Sequence, residues 1–340
     1  MKKGYFTFIP GGICIYKEEI YFVDVDYNIF GKSNLEGNEV QILGSIPNEK
    51  FNTAMLAGKL LRWRDKIVIV PLAAKLLWLY DVAQNSWHSI FLNNENVSYR
   101  FSNAWLVEDK LLLVGYNDDQ RVICVDLIKE TFENLACEEN CAWGRSIAFD
   151  GNSIYIVSRE KPIVLKYDIK NMEKKCLTIE GGDNAYEGIS WDGNRFWLVP
   201  NEAGYLTSWM PGQQCQKTEL YLQEVSGIVS CNDVTFVASY TKKVAALIDH
   251  LEIKMLQNKD GYYKVDQLDS NNIYTITQNG NISLYNVKNK ELKHIVIKMD
   301  NINFGEMAEK YADFSKKDLY SDLVIEKRVG LEDLIEYVVG

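Results

Sequence analysis

Seven short runs of unbroken apolar residues punctuate this chain at nearly regular intervals. They are Ile20-Tyr-Phe-Val23, Ile67-Val-Ile-Val70, Leu111-Leu-Leu-Val114, Ile154-Tyr-Ile-Val157, Phe196-Trp-Leu-Val199, Val234-Thr-Phe-Val237 and Ile273-Tyr-Thr-Ile276, and their starts lie 47, 44, 43, 42, 38 and 39 residues apart. A strand wetted on one face alternates apolar and polar side chains, whereas a strand covered on both faces is apolar throughout. The runs therefore predict seven doubly covered strands, one in each repeat of about 40–50 residues. No such repeat can hide its own faces, so the modules must stack on one another.

Each run has the same surroundings. A shorter strand precedes it across a tight turn, most visibly at Phe149-Asp150-Gly151-Asn152 and Trp191-Asp192-Gly193-Asn194. Asp-Gly between apolar runs predicts a type I′ hairpin, which needs positive φ at both central residues. A third strand follows and ends on an Asx residue, at Asp81, Asp126, Asp168 and Asn286, and a fourth closes the unit, as in Trp87-His-Ser-Ile90 or His294-Ile-Val-Ile297.

With these residues in view, the repeats resemble those of the β-propeller superfamily. The segment Leu77-Trp-Leu-Tyr-Asp-Val-Ala-Gln-Asn-Ser-Trp87 is similar to a kelch repeat, although Val70-Pro71, Val114-Gly115 and Val157-Ser158 stand where kelch repeats carry paired glycines. The resemblance spans roughly residues 10–298 and implies an all-β, seven-bladed β-propeller over 1–299; it carries no activity. Beyond it, Phe304, Met307, Tyr311 and Phe314, then Leu331, Leu334, Ile335 and Val338, fall at helical spacing. They predict a short helical C-terminal extension over 300–340, packed on the propeller.

Charge and cysteine usage narrow the partners. A formal net charge of -10 opposes a phosphate backbone, so nucleic acid is not expected as a partner. The apolar stretch from Ile67 to Tyr80 is interrupted by Pro71 and Lys75 and is shorter than a bilayer span, so no membrane association is expected either. The start of the chain does not read as a signal peptide. Seven irregularly spaced cysteines, with Cys14, Cys124 and Cys231 in or beside apolar runs, predict a reduced, cytosolic chain in which thiols act as small hydrophobes.

Catalytic motifs are sparse. The recurring acids, Asp81, Asp126 and Asp168 at one turn and Asp109, Asp150, Asp192 and Asp269 at another, read as turn formers, since a turn is needed in every repeat. Cys137 and Cys141 are four residues apart but have no second pair to complete a metal site. The three histidines, His88, His250 and His294, fall on third or fourth strands. Gly188-Ile-Ser190-Trp-Asp-Gly193 has its second glycine displaced from a nucleophile elbow and leads into a hairpin rather than a helix. Gly181-Gly182-Asp183 reads as a turn. No metal and no cofactor is expected.

What remains is the set of segments that lead into each inner strand, together with the loops between second and third strands, which meet on one face of a propeller. The lead-in segments carry Tyr99-Arg100-Phe101, Trp143-Gly144-Arg145, Tyr186-Glu187-Gly188 and Tyr262-Tyr263-Lys264, with Tyr5-Phe6 and Phe51-Asn52 equivalent. The loops add Tyr27, Asn117, Asp118, Arg159, Glu160, Asn201, Glu202, Tyr240 and Lys242. Aromatics and guanidinium groups are the side chains that dominate binding hot spots. The candidate ligand-binding set is therefore Tyr99, Arg100, Phe101, Trp143, Arg145, Arg159, Tyr186, Glu187 and Tyr263, with small residues at Gly12, Ser146, Gly188 and Gly227 where inner strands crowd together. The expected function is a non-catalytic scaffold binding a protein partner or a small polar or anionic ligand. A carbohydrate-active enzyme using Glu187 in proton transfer, or a lectin-like sugar binder, is the alternative.

Overall fold

A computed structural model describes residues 4–302 except 52, 93–99, 117–120, 136–140, 202–203, 221, 223–224, 240–242, 250–251 and 258. It contains seven four-stranded antiparallel sheets, each in simple sequence order, and one two-stranded ribbon. This is the seven-bladed β-propeller arrangement that the repeat predicted. Each apolar run is the second strand of its blade, for example Lys66–Pro71 in blade 2, Ser153–Val157 in blade 4 and Phe196–Pro200 in blade 5. Ile67, Val68, Ile69 and Val70 are all fully buried, as a strand covered on both faces must be. Fourth strands lie at the other extreme: every residue of Thr131–Asn134 is exposed.

The third-to-fourth turns are built as expected, and they share a detail the pattern did not disclose. Asp81 Oδ1 accepts the N–H groups of Ala83 and Gln84, Asp126 those of Ile128 and Lys129, Asp168 those of Lys170 and Asn171, and Asn286 those of Lys288 and Asn289. The residue four positions on is left-handed in every case: Asn85, Glu130, Met172 and Lys290 have φ between 50° and 59°. The carboxylate or amide oxygen thus nucleates a four-residue loop, and the left-handed residue turns the chain back into register.

The Asp-Gly hairpins differ from the expected type I′. Gly151 and Gly193 have positive φ, at 98° and 96°, but Asp150 and Asp192 do not. The aspartates instead accept backbone N–H groups two and three residues on, Asn152 and Ser153 in one turn and Asn194 and Arg195 in the other. Side-chain capping has displaced the two-residue turn. Two consecutive left-handed residues occur instead at Lys17 and Glu18, between the paired Tyr16 and Glu19, where no glycine announces them.

The chain forms two compact units. One holds blades 1 and 2 with the ribbon, and the other holds blades 3 to 6 and most of blade 7. In the ribbon, Gly4–Thr7 pairs antiparallel with Lys298–Ile302, and Phe8 N–H continues the ladder to Ile297 O at 2.9 Å. Phe6 and Phe8 are fully buried, and Phe8 packs on Phe22 with ring centroids 5.1 Å apart. Gly280, at φ 79°, makes room for this strand, since a Cβ there would stand 2.6 Å from Phe8 O. The last described element is therefore a strand running to Ile302, past the expected boundary at 299; the helical extension expected over 300–340 lies outside the described residues.

Thiols follow the expectation in part. Cys14, Cys124, Cys141 and Cys231 are buried free thiols, and burial pushes Cys14 up to about 12 and Cys124 and Cys231 up to about 11. Cys176, on the exposed fourth strand Glu173–Thr178, is disulfide-bonded, so the expectation of a fully reduced chain fails there. Cys176 is half-buried there and packs on the core cluster that includes Leu112, Val114 and Cys124.

Candidate functional site

The inner strands begin with a repeated irregularity that decides which side chains reach the surface. In six blades the pairing of first and second strands slips by one residue, between Pro10 and Gly12, Ala57 and Lys59, Phe101 and Asn103, Tyr186 and Gly188, Val225 and Gly227, and Tyr262 and Lys264. The residue between each pair bulges out of the ladder. In blade 4 Trp143 bridges Ser158 and Gly144 N–H reaches Val157 O at 2.8 Å, so Gly144 and Arg145 occupy the equivalent place. A bulge re-aims the extruded side chain and leaves its neighbours in the sheet.

The described aromatics of the expected set that precede a bulge lie inside the fold. Phe101, Trp143 and Tyr186 stand just before their bulges and are 0%, 1% and 0% exposed; Tyr262 is buried in the same way. Trp143 packs among Leu112, Val114, Ile154 and Ile156, and Tyr186 among Val157, Ile189 and Leu198. They fill the space between blades rather than presenting a stacking platform, because a slip of one residue sends adjacent side chains to opposite faces. Tyr186 also anchors the Gly181-Gly182-Asp183 turn: its hydroxyl oxygen accepts Asp183 N–H at 2.7 Å, and burial pushes that hydroxyl up to about 12.

The charged part of the site assembles. Glu187 is the bulged residue of blade 5, Arg145 belongs to the extruded pair of blade 4, and Arg159 lies in the loop after the second strand of blade 4. Arg159 donates to Glu187 Oε1 from both Nε, at 3.1 Å, and Nη2, at 2.9 Å. Arg145 Nε lies 3.7 Å from Glu187 Oε2. Relative side-chain exposures of 45%, 22% and 27% for Arg145, Arg159 and Glu187 leave all three in reach of solvent.

Backbone clamps hold the arrangement. Arg145 N–H donates to Glu187 O at 2.8 Å, so one bulge is stitched to the next. Asn103 Nδ2 donates to Arg145 O at 3.0 Å, and the Arg145 guanidinium lies 5.6 Å from the centroid of the Tyr116 ring. Arg159 N–H donates to Ala142 O, its carbonyl accepts Asn201 Nδ2, and Ser158 Oγ caps the same loop by accepting the N–H groups of Glu160 and Lys161. Gly144 has to be glycine: a Cβ there would stand 2.8 Å from Glu187 O and 2.7 Å from Val157 Cγ2.

Other expected residues do not join this cluster. Arg100 is exposed and its carbonyl accepts Tyr116 N–H at 2.7 Å; Tyr263 is the half-buried bulge residue of blade 7. Phe6, Tyr27 and Phe51 are buried against one another, and Tyr5, 56% exposed, lies under the Lys298 ammonium. Tyr99, Asn52, Asn117, Asp118, Cys137, Glu202, Tyr240, Lys242 and His250 lie outside the described residues. Asn103 and Tyr116 were not anticipated. A repeated small or polar residue directly after each bulge, as at Gly12, Asn103, Ser146 and Gly188, was the available signal for the first.

The chemistry open to this cluster is recognition of charge. Two guanidiniums face one carboxylate, and neither is a proton carrier near neutrality. Among the described residues no group of three or more His, Cys, Asp or Glu side chains could hold a metal ion. His88 and His294 sit on the fourth strands Ser86–Ile90 and Glu291–Val296, and Ser190 lies on the inner strand Tyr186–Trp191.

No protein-family model matches the sequence, and no curated protein matches it. The fold has many solved counterparts. A catalytically inactive histidine-to-alanine variant of virginiamycin B lyase from Staphylococcus aureus, with quinupristin, superposes with a TM-score of 0.64 at 10% identity, covering 83% of this chain and 95% of that one. A streptogramin B lyase does so with a TM-score of 0.60 at 9% identity over 86% and 97% of the two chains. PorZ, a surface component of the type-IX secretion system of Porphyromonas gingivalis, gives 0.61 at 9% identity, and this chain spans 39% of its length. At such identities the likeness is one of fold.

Proposed function

We propose that this propeller is a non-catalytic binding module that takes a small anionic, polar ligand at the Arg145–Glu187–Arg159 cluster. The observation carrying this is the cluster itself: three charged side chains from two blades, clamped through their backbones and left accessible. The longer, more exposed Arg145–Glu187 pair falls in the range of about 0.2–1 kcal/mol for exposed pairs, so folding has little need of Arg145. The cluster brings two guanidiniums together at one place on a chain whose net charge is -10, and guanidinium groups are suited to recognising a carboxylate or phosphate.

Among the described residues Glu187 is met by the guanidiniums of Arg159 and Arg145, and general acid–base work needs a second titratable group within hydrogen-bond reach, which supports binding over turnover. The two lyases share the fold, and the inactive histidine variant belongs to one of them; in this chain the described histidines lie on outer strands. A protein partner, as for a secretion-system component, is the alternative occupant of the same surface.

Isothermal titration of the full chain with citrate and with inorganic phosphate tests the proposal. Binding is expected in the micromolar to millimolar range, lost on Arg145→Ala and on Arg159→Ala, with the ligand recovered unchanged by NMR. Equal heats for wild type and both variants, or conversion of the ligand, would end it.

A further inference from the structure

Each fourth strand ends its blade on an open edge, and several of these edges are ill suited to pairing with anything else. Thr131–Asn134 and Gln216–Glu219 are only four residues long, and Glu173–Thr178 carries Lys174 and Lys175 side by side. In Glu291–Val296 the Ile295 side chain is buried, and Glu291 Oε2 accepts Asn289 Nδ2 at 3.1 Å. Short strands and clustered like charges discourage edge-to-edge association.

The fourth strand of blade 6, Glu252–Gln257, is built differently. It is six residues long and stands last in its sheet. Glu252, Ile253, Lys254, Met255 and Gln257 are all exposed, and only Leu256 is half-buried. Ile253 and Met255 are large apolar side chains left in water, and as alternate residues of one strand they share a face. Alternate N–H and C=O groups of a last strand point away from its sheet, where another strand can take them up. A long edge that also exposes apolar side chains is therefore a pairing site.

From this we infer that blade 6 pairs with a second copy of the chain, Glu252–Gln257 running antiparallel to its counterpart across a two-fold axis. The order of charges selects this occupant. In a two-fold pair the residue on the axis faces its own copy, and that residue fixes every other partner. With Ile253 on the axis, Glu252 of each copy lies opposite Lys254 of the other, so Glu252-Ile253-Lys254 is its own complement. Opposite charges directly across a ladder stabilise it and like charges do not. With Lys254 on the axis two ammoniums would meet, and with Met255 there Lys254 would face Leu256. An extended segment of unrelated sequence finds no such match. Main-chain hydrogen bonds and the Ile253 contact supply the attraction, and one strand pair buries far less than a standard interface, so the dimer belongs to the weak class.

Sedimentation velocity of the full chain from micromolar to submillimolar concentration tests this. The weight-average mass is expected to rise from one chain toward two. Glu252→Lys and Lys254→Glu each set like charges across the ladder twice over, and each should weaken association about tenfold or more. Combining Glu252→Lys with Lys254→Glu restores opposite charges in the same register and should recover the wild-type mass profile. A strand merely damaged by one substitution does not regain association through a second, so recovery reports pairing rather than folding. A wild type that stays monomeric throughout would overturn the inference. So would single reversals that leave association unchanged, or a double variant that remains as weak as the singles.

Discussion

At the scale of single residues, two positions along the chain are enough to divide roles sharply. Trp143 and Arg145 are two residues apart, yet one is sealed between blades and the other is half exposed. Truncation should separate them. Trp143→Ala removes a fully buried aromatic and is expected to cost about 3–5 kcal/mol, read from urea unfolding, whereas Arg145→Ala should cost less than about 1 kcal/mol. Comparable losses for the two would mean that the charged cluster is structural. A second residue-scale prediction concerns acid. Asp126 is held down to about 2 by the N–H of Lys129 first, then by the Lys110 ammonium through a hydrogen bond and its charge, and by the N–H of Ile128. A carboxyl depressed in the folded state contributes stability that is complete above its unfolded value, about 3.9, and is lost as pH falls through the folded one. Asp126→Asn keeps the turn, as Asn286 does natively, but loses the charge. Its stability should therefore fall less than that of wild type between pH 4 and pH 2 in parallel acid melts.

At the scale of elements, turns and bulges repeat as faithfully as strands do, and they respond to substitution in opposite senses. Met172 sits at φ 57° with its side chain 51% exposed, so it bears left-handed strain and packs little in return. Met172→Gly relieves that strain against an entropy cost of about 0.5–1 kcal/mol and should leave the protein equally stable or up to about 1 kcal/mol more stable in a thermal melt. Gly144→Ala should act the other way. The methyl group meets a backbone carbonyl that has little freedom to withdraw, and overpacking of this kind costs about 1–3 kcal/mol. Because that carbonyl belongs to Glu187, the same variant should also weaken citrate binding. A stable Gly144→Ala protein with unaltered binding would show that the bulges are not coupled in this way.

For the whole molecule, the ribbon joins the two ends of the described chain. Phe8 is fully buried on the N-terminal side of that ribbon, while Tyr5, three residues earlier, is mostly exposed. Phe8→Ala should cost about 3–5 kcal/mol and lower the melting temperature by several degrees, whereas Tyr5→Ala should move it by about a degree or less. Similar small shifts in both would mean that the ribbon is dispensable to the fold.

What the sequence determined alone was the part of the repeat that local chemistry dictates. Seven doubly covered strands, the capped turns after Asp81, Asp126, Asp168 and Asn286, and the small residues at Gly188 and Gly227 were legible because each arises from local chemistry that every blade must repeat. Arg145, Arg159 and Glu187 were legible as candidates because charge beside an inner strand is not needed for packing. Their meeting was not, because Glu187 comes from the blade after the two arginines and the sequence carries no record of which side chains two neighbouring sheets bring within 4 Å of one another. Nor was the burial of Phe101, Trp143 and Tyr186. Alternation along a strand tells inward from outward only while the register is unbroken, and the extra residue that breaks it is visible only once the partner strand is in place.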